Sequence, residues 1–288
     1  MTHSPPGQAL RLGLMTTLAM LAFAGNSLLC RVALGQAGMD AASFTAIRLV
    51  SGAVMLWLLL RVHSVQVAGR GNWPSALALF TYAAAFSFAY EHLTAATGAL
   101  VLFPVVQATM IGHGLWSGER LRALQWTGLA IALAGLVALL LPGVTAPPLH
   151  GALLMALAGL AWGVYSLRGR GVGNPAAVTA GNFLRATVPA VLLLVVFARQ
   201  ASLDAVGVAA AIASGALASA LGYVIWYSVV PRLAAAQAAS VQLGVPVVVA
   251  LGGVVLLGEP LGLRVTVAAL AILGGIALVL RPAAVRTR

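Results

Sequence analysis

Residues 94–122 read TAATGALVLFPVVQATMIGHGLWSGERLR. The stretch is apolar from Thr94 to Trp116, is interrupted by Pro104, and closes on Gly118-Glu119-Arg120-Leu121. About 20 apolar residues suffice for a helix to cross a bilayer. A proline inside such a helix removes a backbone donor, which membrane helices tolerate where neighbouring groups satisfy the freed backbone. The same pattern returns at residues 241–261, VQLGVPVVVALGGVVLLGEPL, with Pro246 followed by Gly258-Glu259-Pro260-Leu261. Further pairs align around these two. Phe23-Ala24-Gly25-Asn26-Ser27 and Arg31 match Trp162-Gly163-Val164-Tyr165-Ser166 and Arg170; Ala46-Ile47-Arg48 matches Phe183-Leu184-Arg185; Gly135 and Pro142 match Gly275 and Pro282. The chain therefore reads as two copies of one unit, 1–145 and 146–288.

Composition agrees. Of 288 residues, 61% are hydrophobic and 7% charged, against about 45–50% and about 25% in a soluble domain. The mean hydropathy is +1.03. Too few charges exist to cover a soluble surface, so the class is all-α integral membrane protein. The net charge of +11 comes from arginine alone, since no lysine is present. These arginines punctuate apolar runs and form no patch, which excludes a nucleic-acid surface. One cysteine, Cys30, excludes intrachain disulfides and cysteine-rich metal sites.

Ten spans are expected: about Leu12–Leu34, which we read as uncleaved, Phe44–Leu60, Trp73–Tyr90, Thr94–Trp116, Leu124–Leu141, Leu149–Leu167, Ala176–Phe197, Val206–Val230, Leu233–Leu257 and Leu263–Leu280. With the N-terminus inside, eleven arginines fall on the inner side and four on the outer, Arg185 within helix 7 being left aside. That asymmetry puts both termini in the cytoplasm. Five spans per half is an odd number, so the second copy enters the membrane inverted. Inverted repeats typify secondary transporters, with the substrate near the midplane between the halves.

The 5+5 plan with a proline and a Gly-Glu closing the fourth span of each half resembles the drug/metabolite transporter (DMT) superfamily, EamA type, from about Leu12 to Leu280. Trp162-x-x-Tyr165, Gly222-Tyr223-x-x-Trp226 and Tyr90-Glu91 are most similar to the aromatic amino-acid exporters of the YddG type. The resemblance implies a central cavity bounded by helices 1, 3, 4, 6, 8 and 9. It also implies an inner-membrane exporter of small metabolites, aromatic or hydrophobic amino acids first among them.

The candidate substrate-binding residues follow from spacing. Tyr82 and Phe86 share a face of helix 3, offering stacking and cation–π surface. Trp162 and Tyr165 share a face of helix 6, with Asn26 on helix 1 as an intramembrane amide in need of a partner. Tyr223 lies on a small-residue face of helix 8. Gln107 and Gln242 sit near Pro104 and Pro246, where freed carbonyls and an amide can receive an ammonium or carboxylate. The two prolines are the expected gating hinges. Each of these residues has a packing role as its alternative. Tyr90, Trp226 and Tyr227 read instead as interfacial belt, Arg48 and Arg185 as snorkelling or paired structural charges, and Glu119 and Glu259 as helix-start carboxylates.

No phosphate-binding loop, H-E-x-x-H or G-x-S-x-G occurs, and the five acids lie near expected span ends. The reading is therefore not an enzyme, with no cofactor and no metal. Its partners are a small-molecule substrate and the lipid bilayer, and the unit is a single chain. An exporter of cationic drugs, a passive channel and an intramembrane enzyme are the rivals.

Overall fold

The computed structural model describes residues 6–62, 70–118, 120–143, 146–169, 174–232 and 241–279, with side chains from residue 10. Among these residues every regular element is helical. Helix α1 (Pro6–Arg31) ends in a π turn, Val32–Gln36, and is followed by α2 (Ala41–Val62), α3 (Trp73–Tyr90), α4 (Ala95–Trp116) and α5 (Ala123–Leu140). Then come α6 (Leu149–Arg168) and α7 (Pro175–Val196). Helix α8 (Ala205–Ala213) passes through a π-helical stretch, Ser214–Leu221, into α9 (Gly222–Val229). The last two are α10 (Gly244–Leu257) and α11 (Leu263–Val279).

Seven segments are long and apolar enough to cross a membrane, namely α1, α2, α4, α5, α6, α7 and the continuous α8–α9 run, and α10 and α11 are shorter apolar helices. Helix α3 falls outside both groups: its Thr81, Tyr82, Ser87 and Tyr90 lower its hydropathy. Starts and stops follow local chemistry. Asn72 accepts a hydrogen bond from the Ser75 N–H, Thr94 from Thr97 and Asn174 from Ala177, each an N-cap. Gly258 ends α10 in the left-handed conformation, φ +66°. The expected continuous span 233–257 instead has a turn at Leu243, which leaves Pro246 in the first turn of α10, where proline costs no hydrogen bond. Residues 233–240 lie outside the described set. Pro104 does sit inside α4, and α7 carries a further internal proline, Pro189.

Polarity runs opposite to that of a soluble protein. Leu14, Leu18 and Leu21 on α1, Leu184, Val188 and Leu192 on α7, and Leu263, Val267 and Leu270 on α11 face outward. Asn26, Arg48, Gln107, Asn182 and Ser219 are buried. Such an inventory fits lipid outside and a polar centre inside. Helices α1–α5 pack chiefly against α6–α11: α3 on α6 and α7, α2 on α7 and the π stretch, α4 on α6, α1 on α9 and α10, α5 on α11. Small residues allow it. A side chain at Gly128 or Gly275 would strike the backbone of the facing helix, so α5 and α11 touch backbone to backbone.

Candidate functional site

Helices α1, α3, α6, α7 and α9 each send aromatic side chains to one place. Tyr82 and Phe86, four apart on α3, have ring centroids 5.4 Å from each other, and Tyr82 lies 5.0 Å from Trp162. Trp162 touches Tyr165 at 5.7 Å and Tyr223 at 4.9 Å, and Tyr223 touches Phe183 at 5.9 Å. Phe23 meets Trp162 and Tyr223 edge-on, each at 5.9 Å, and Trp226 at 5.7 Å. All of these rings are buried. Tilted and edge-to-face pairs at these separations each contribute about 0.5–1.5 kcal/mol beyond area burial. The rings fill one another's space.

Beside this cluster is a charge. Arg48, on α2, is 1% exposed. Its guanidinium carbon lies 5.1 Å from the ring centroids of both Tyr82 and Phe86. Its Nη2 donates to the Tyr82 hydroxyl at 3.2 Å and its Nε to Ser219 Oγ at 3.2 Å. Nη1 is buried and has no hydrogen-bond partner among the described residues, and neither has the Tyr223 hydroxyl. Among the described residues one ion pair occurs, between Arg31 and Glu259; Arg48 has no carboxylate. A charge in the middle of a membrane helix costs roughly 3 kcal/mol on insertion scales and is rarely left unpaired. The structure thus overturns the snorkelling reading of Arg48, because the side chain turns inward rather than to the surface. Its repeat mate Arg185 behaves differently, donating from Nη1 to the carbonyls of Arg70 at 2.7 Å and Gly181 at 2.9 Å.

Asn26 is fixed from the π stretch. Its Oδ1 accepts from Ser214 Oγ at 2.8 Å and from Ser219 Oγ at 3.0 Å. On an α-helix residues five apart point about 140° away from each other. In a π-helix, closed by i→i+5 bonds, they lie one above the other. The π winding of 214–221 is what lets both serines reach one amide, and it also presents Ser219 to Arg48. Gly215 makes the approach possible, since a Cβ there would collide with the Arg48 carbonyl and the Ser51 hydroxyl.

The expected residues divide accordingly. The structure brings Tyr82, Phe86, Trp162, Tyr165 and Tyr223 together in one ring cluster, with Asn26 joined through Ser219. Gln107 and Gln242 are buried on other segments, beside buried Pro104 and Pro246, and Gln107 makes no hydrogen bond to the cluster. Phe23, Phe183 and Trp226 also belong to the cluster, with Arg48 beside it, and none of the four is among the expected binding residues. The belt reading of Tyr90, Trp226 and Tyr227 is corrected: all three are buried against protein, and Tyr90 donates to the Ala95 carbonyl at 3.3 Å over Gly98. Trp57, Trp73, Trp116 and Trp126 are the exposed indoles.

The two ends of the bundle are tied differently. At one, Arg31 Nε donates to Glu259 Oε1 at 2.7 Å and Arg31 Nη1 to the Tyr90 carbonyl at 2.8 Å. Glu259 Oε2 accepts the Ala95 N–H at 2.7 Å, so this carboxylate caps α4 rather than its own following helix. Glu119 lies outside the described residues. At the other end, Arg168 Nε donates to Ser75 Oγ at 3.0 Å, and the Asn72 N–H donates to Asn182 Oδ1 at 3.0 Å. A separate cleft of about 780 Å³, lined in part by His92, Thr97, Pro148 and Arg264, shares no residue with the ring cluster. Among the described residues no group of His, Cys, Asp and Glu is arranged to hold a metal.

Residues 149–281 match the EamA-like transporter family. An uncharacterized protein of Pseudomonas aeruginosa is 60% identical over 270 residues, which are 93% of this chain and 94% of that one. An uncharacterized transporter of Archaeoglobus fulgidus is 26% identical over 175 residues, 60% of this chain and 63% of its own. A crystal structure superposes with a TM-score of 0.67 at 22% identity, covering 93% of this chain and 95% of that chain; this likeness is one of fold. These matches speak for the family and for membrane transport, a level coarser than the aromatic amino-acid exporters.

Proposed function

Because residues 149–281 match the EamA-like transporter family, we propose that the chain is a secondary transporter of the inner membrane that exports small metabolites, with aromatic or hydrophobic amino acids as its substrates, by alternating access. The observation that carries this reading is the buried ring cluster between the halves. Protein rings that pack edge-to-face against one another can exchange one such contact for a substrate ring at small cost. The match of residues 149–281 to a transporter family favours transport over catalysis as the use of the site.

The packing supports ten spans in two inverted halves, 1–145 and 146–288. In the repeat, α1 corresponds to α6, α2 to α7, α3 to the α8–α9 run, α4 to the helix that ends as α10, and α5 to α11. The main inter-half contacts then have counterparts: α3 on α6 matches α9 on α1, α4 on α6 matches α10 on α1, and α3 on α7 matches the π stretch on α2. The pairs α2 with α7 and α5 with α11 are their own counterparts, as a two-fold axis between the halves requires. Phe23 and Trp162, aligned in the repeat, touch each other. Arginine distribution supports cytoplasmic termini. A buried, uncompensated guanidinium at the site disfavours the rival reading of a cationic-drug exporter.

Uptake of a labelled amino-acid panel into proteoliposomes, with and without a pH gradient, tests the proposal. Phenylalanine and tryptophan should enter several-fold faster than glycine, and faster than into protein-free vesicles. Equal entry of all amino acids, or of none, would refute it.

A further inference from the structure

Resting on the reading of the ring cluster as the substrate site, we propose that Arg48 is the anchor for a carboxylate, so that the site requires a substrate bearing both an anionic group and a flat apolar group. Three observations meet at this residue. The guanidinium is wholly buried without a carboxylate among the described residues. Two of its three nitrogens are fixed, by Tyr82 and Ser219, while Nη1 is left over. A second unsatisfied polar group, the Tyr223 hydroxyl, belongs to the same cluster. An orphaned N–H in apolar surroundings is costly, and a carboxylate arriving in the plane of the fork would satisfy it with a charge-assisted bond. The guanidinium is already held, stacked near the rings of Tyr82 and Phe86, so little side-chain freedom is lost on binding. The Tyr223 hydroxyl is available to donate to a carboxylate oxygen. No carboxylate of the cluster faces a substrate ammonium, so an amino group contributes little to recognition.

Ligand binding to the purified full chain, read from thermal stabilisation, separates this inference from the aromatic reading. The probes are 3-phenylpropionate, its neutral amide 3-phenylpropanamide, phenethylamine, and heptanoate with its amide. The inference predicts that 3-phenylpropionate binds roughly tenfold or more tightly than either 3-phenylpropanamide or phenethylamine. In Arg48→Gln that ratio should fall below about twofold, with Arg48→Lys retaining part of it. If 3-phenylpropionate and its amide bind the wild-type chain within twofold of each other, the anchor is wrong and the aromatic reading survives. If heptanoate binds as well as 3-phenylpropionate while both amides fail, the anchor stands and the aromatic reading falls. If none of the five binds, both fall. The wild-type arms decide the matter even where a variant does not fold.

Discussion

Trp162 and Tyr82 touch each other and the rest of the cluster, so truncating either opens a gap that an aromatic substrate feels most. We expect Trp162→Ala and Tyr82→Ala to weaken transport of aromatic amino acids several-fold, on the order of 1 kcal/mol per lost ring contact, and that of small aliphatic ones less, at unchanged protein level. Equal losses across substrates would show that these rings serve packing. The faces carrying Tyr82, Phe86, Trp162 and Tyr165 are legible from their three- and four-residue spacing alone. Arg48 is not. An arginine near a span end reads as one that reaches the surface or pairs with another charge, and only the three-dimensional partners, Ser219 and Tyr82, show where it is held. Tyr90 and Trp226 escape a sequence reading for a related reason. Position near a span end does not say whether a ring faces lipid or protein, although Gly98, which leaves room for the Tyr90 ring, is a usable sign.

At the scale of elements, the π stretch from Ser214 to Leu221 positions both Asn26 and Arg48, and its contact with α2 depends on Gly215. Gly215→Ala should destabilise the fold by about 1–3 kcal/mol through overpacking against the Arg48 backbone. Gly112→Ala meets nothing within 4 Å and should be neutral or gain up to about 1 kcal/mol; thermal denaturation in detergent compares them. A larger loss at position 112 than at 215 would contradict this packing of the π stretch on α2. Nothing in the amino-acid order announces π winding, because it arises from hydrogen-bond partners across helices. Helix positions themselves are legible as apolar runs. The turn at Leu243 is hidden because the apolar run continues through it, and its consequence is that Pro246 starts a helix whereas Pro104 interrupts one. We propose that both remain hinges, since each lets a half-helix pivot without breaking a backbone bond. Pro104→Ala and Pro246→Ala should slow turnover and trap opposite states, as spin-label distances across the two mouths would report. Shifts in the same direction, or unchanged transport in both, would rule the hinges out.

In the whole molecule α1–α5 pack chiefly against α6–α11, with the ring cluster between them and ties at both ends. The Arg31–Glu259 pair and its bond to α4 fasten one end, and Arg168 with Ser75 and Asn72 fastens the other. Alternating access requires that these ties release in turn. The proposed inverted orientation makes its own prediction: cysteines placed at Ala146 and at Gly171, the latter outside the described residues, should differ toward an impermeant thiol reagent in intact cells. Only position 146 should react, and labelling at 171 would reject the topology. The most direct test of the central claim, that one site is exposed to the two sides alternately, is counterflow. Proteoliposomes preloaded with unlabelled phenylalanine should take up trace labelled phenylalanine several-fold faster than unloaded vesicles, with saturation. Equal initial rates in loaded and unloaded vesicles, rising linearly with concentration, would identify a passive pore and contradict alternating access.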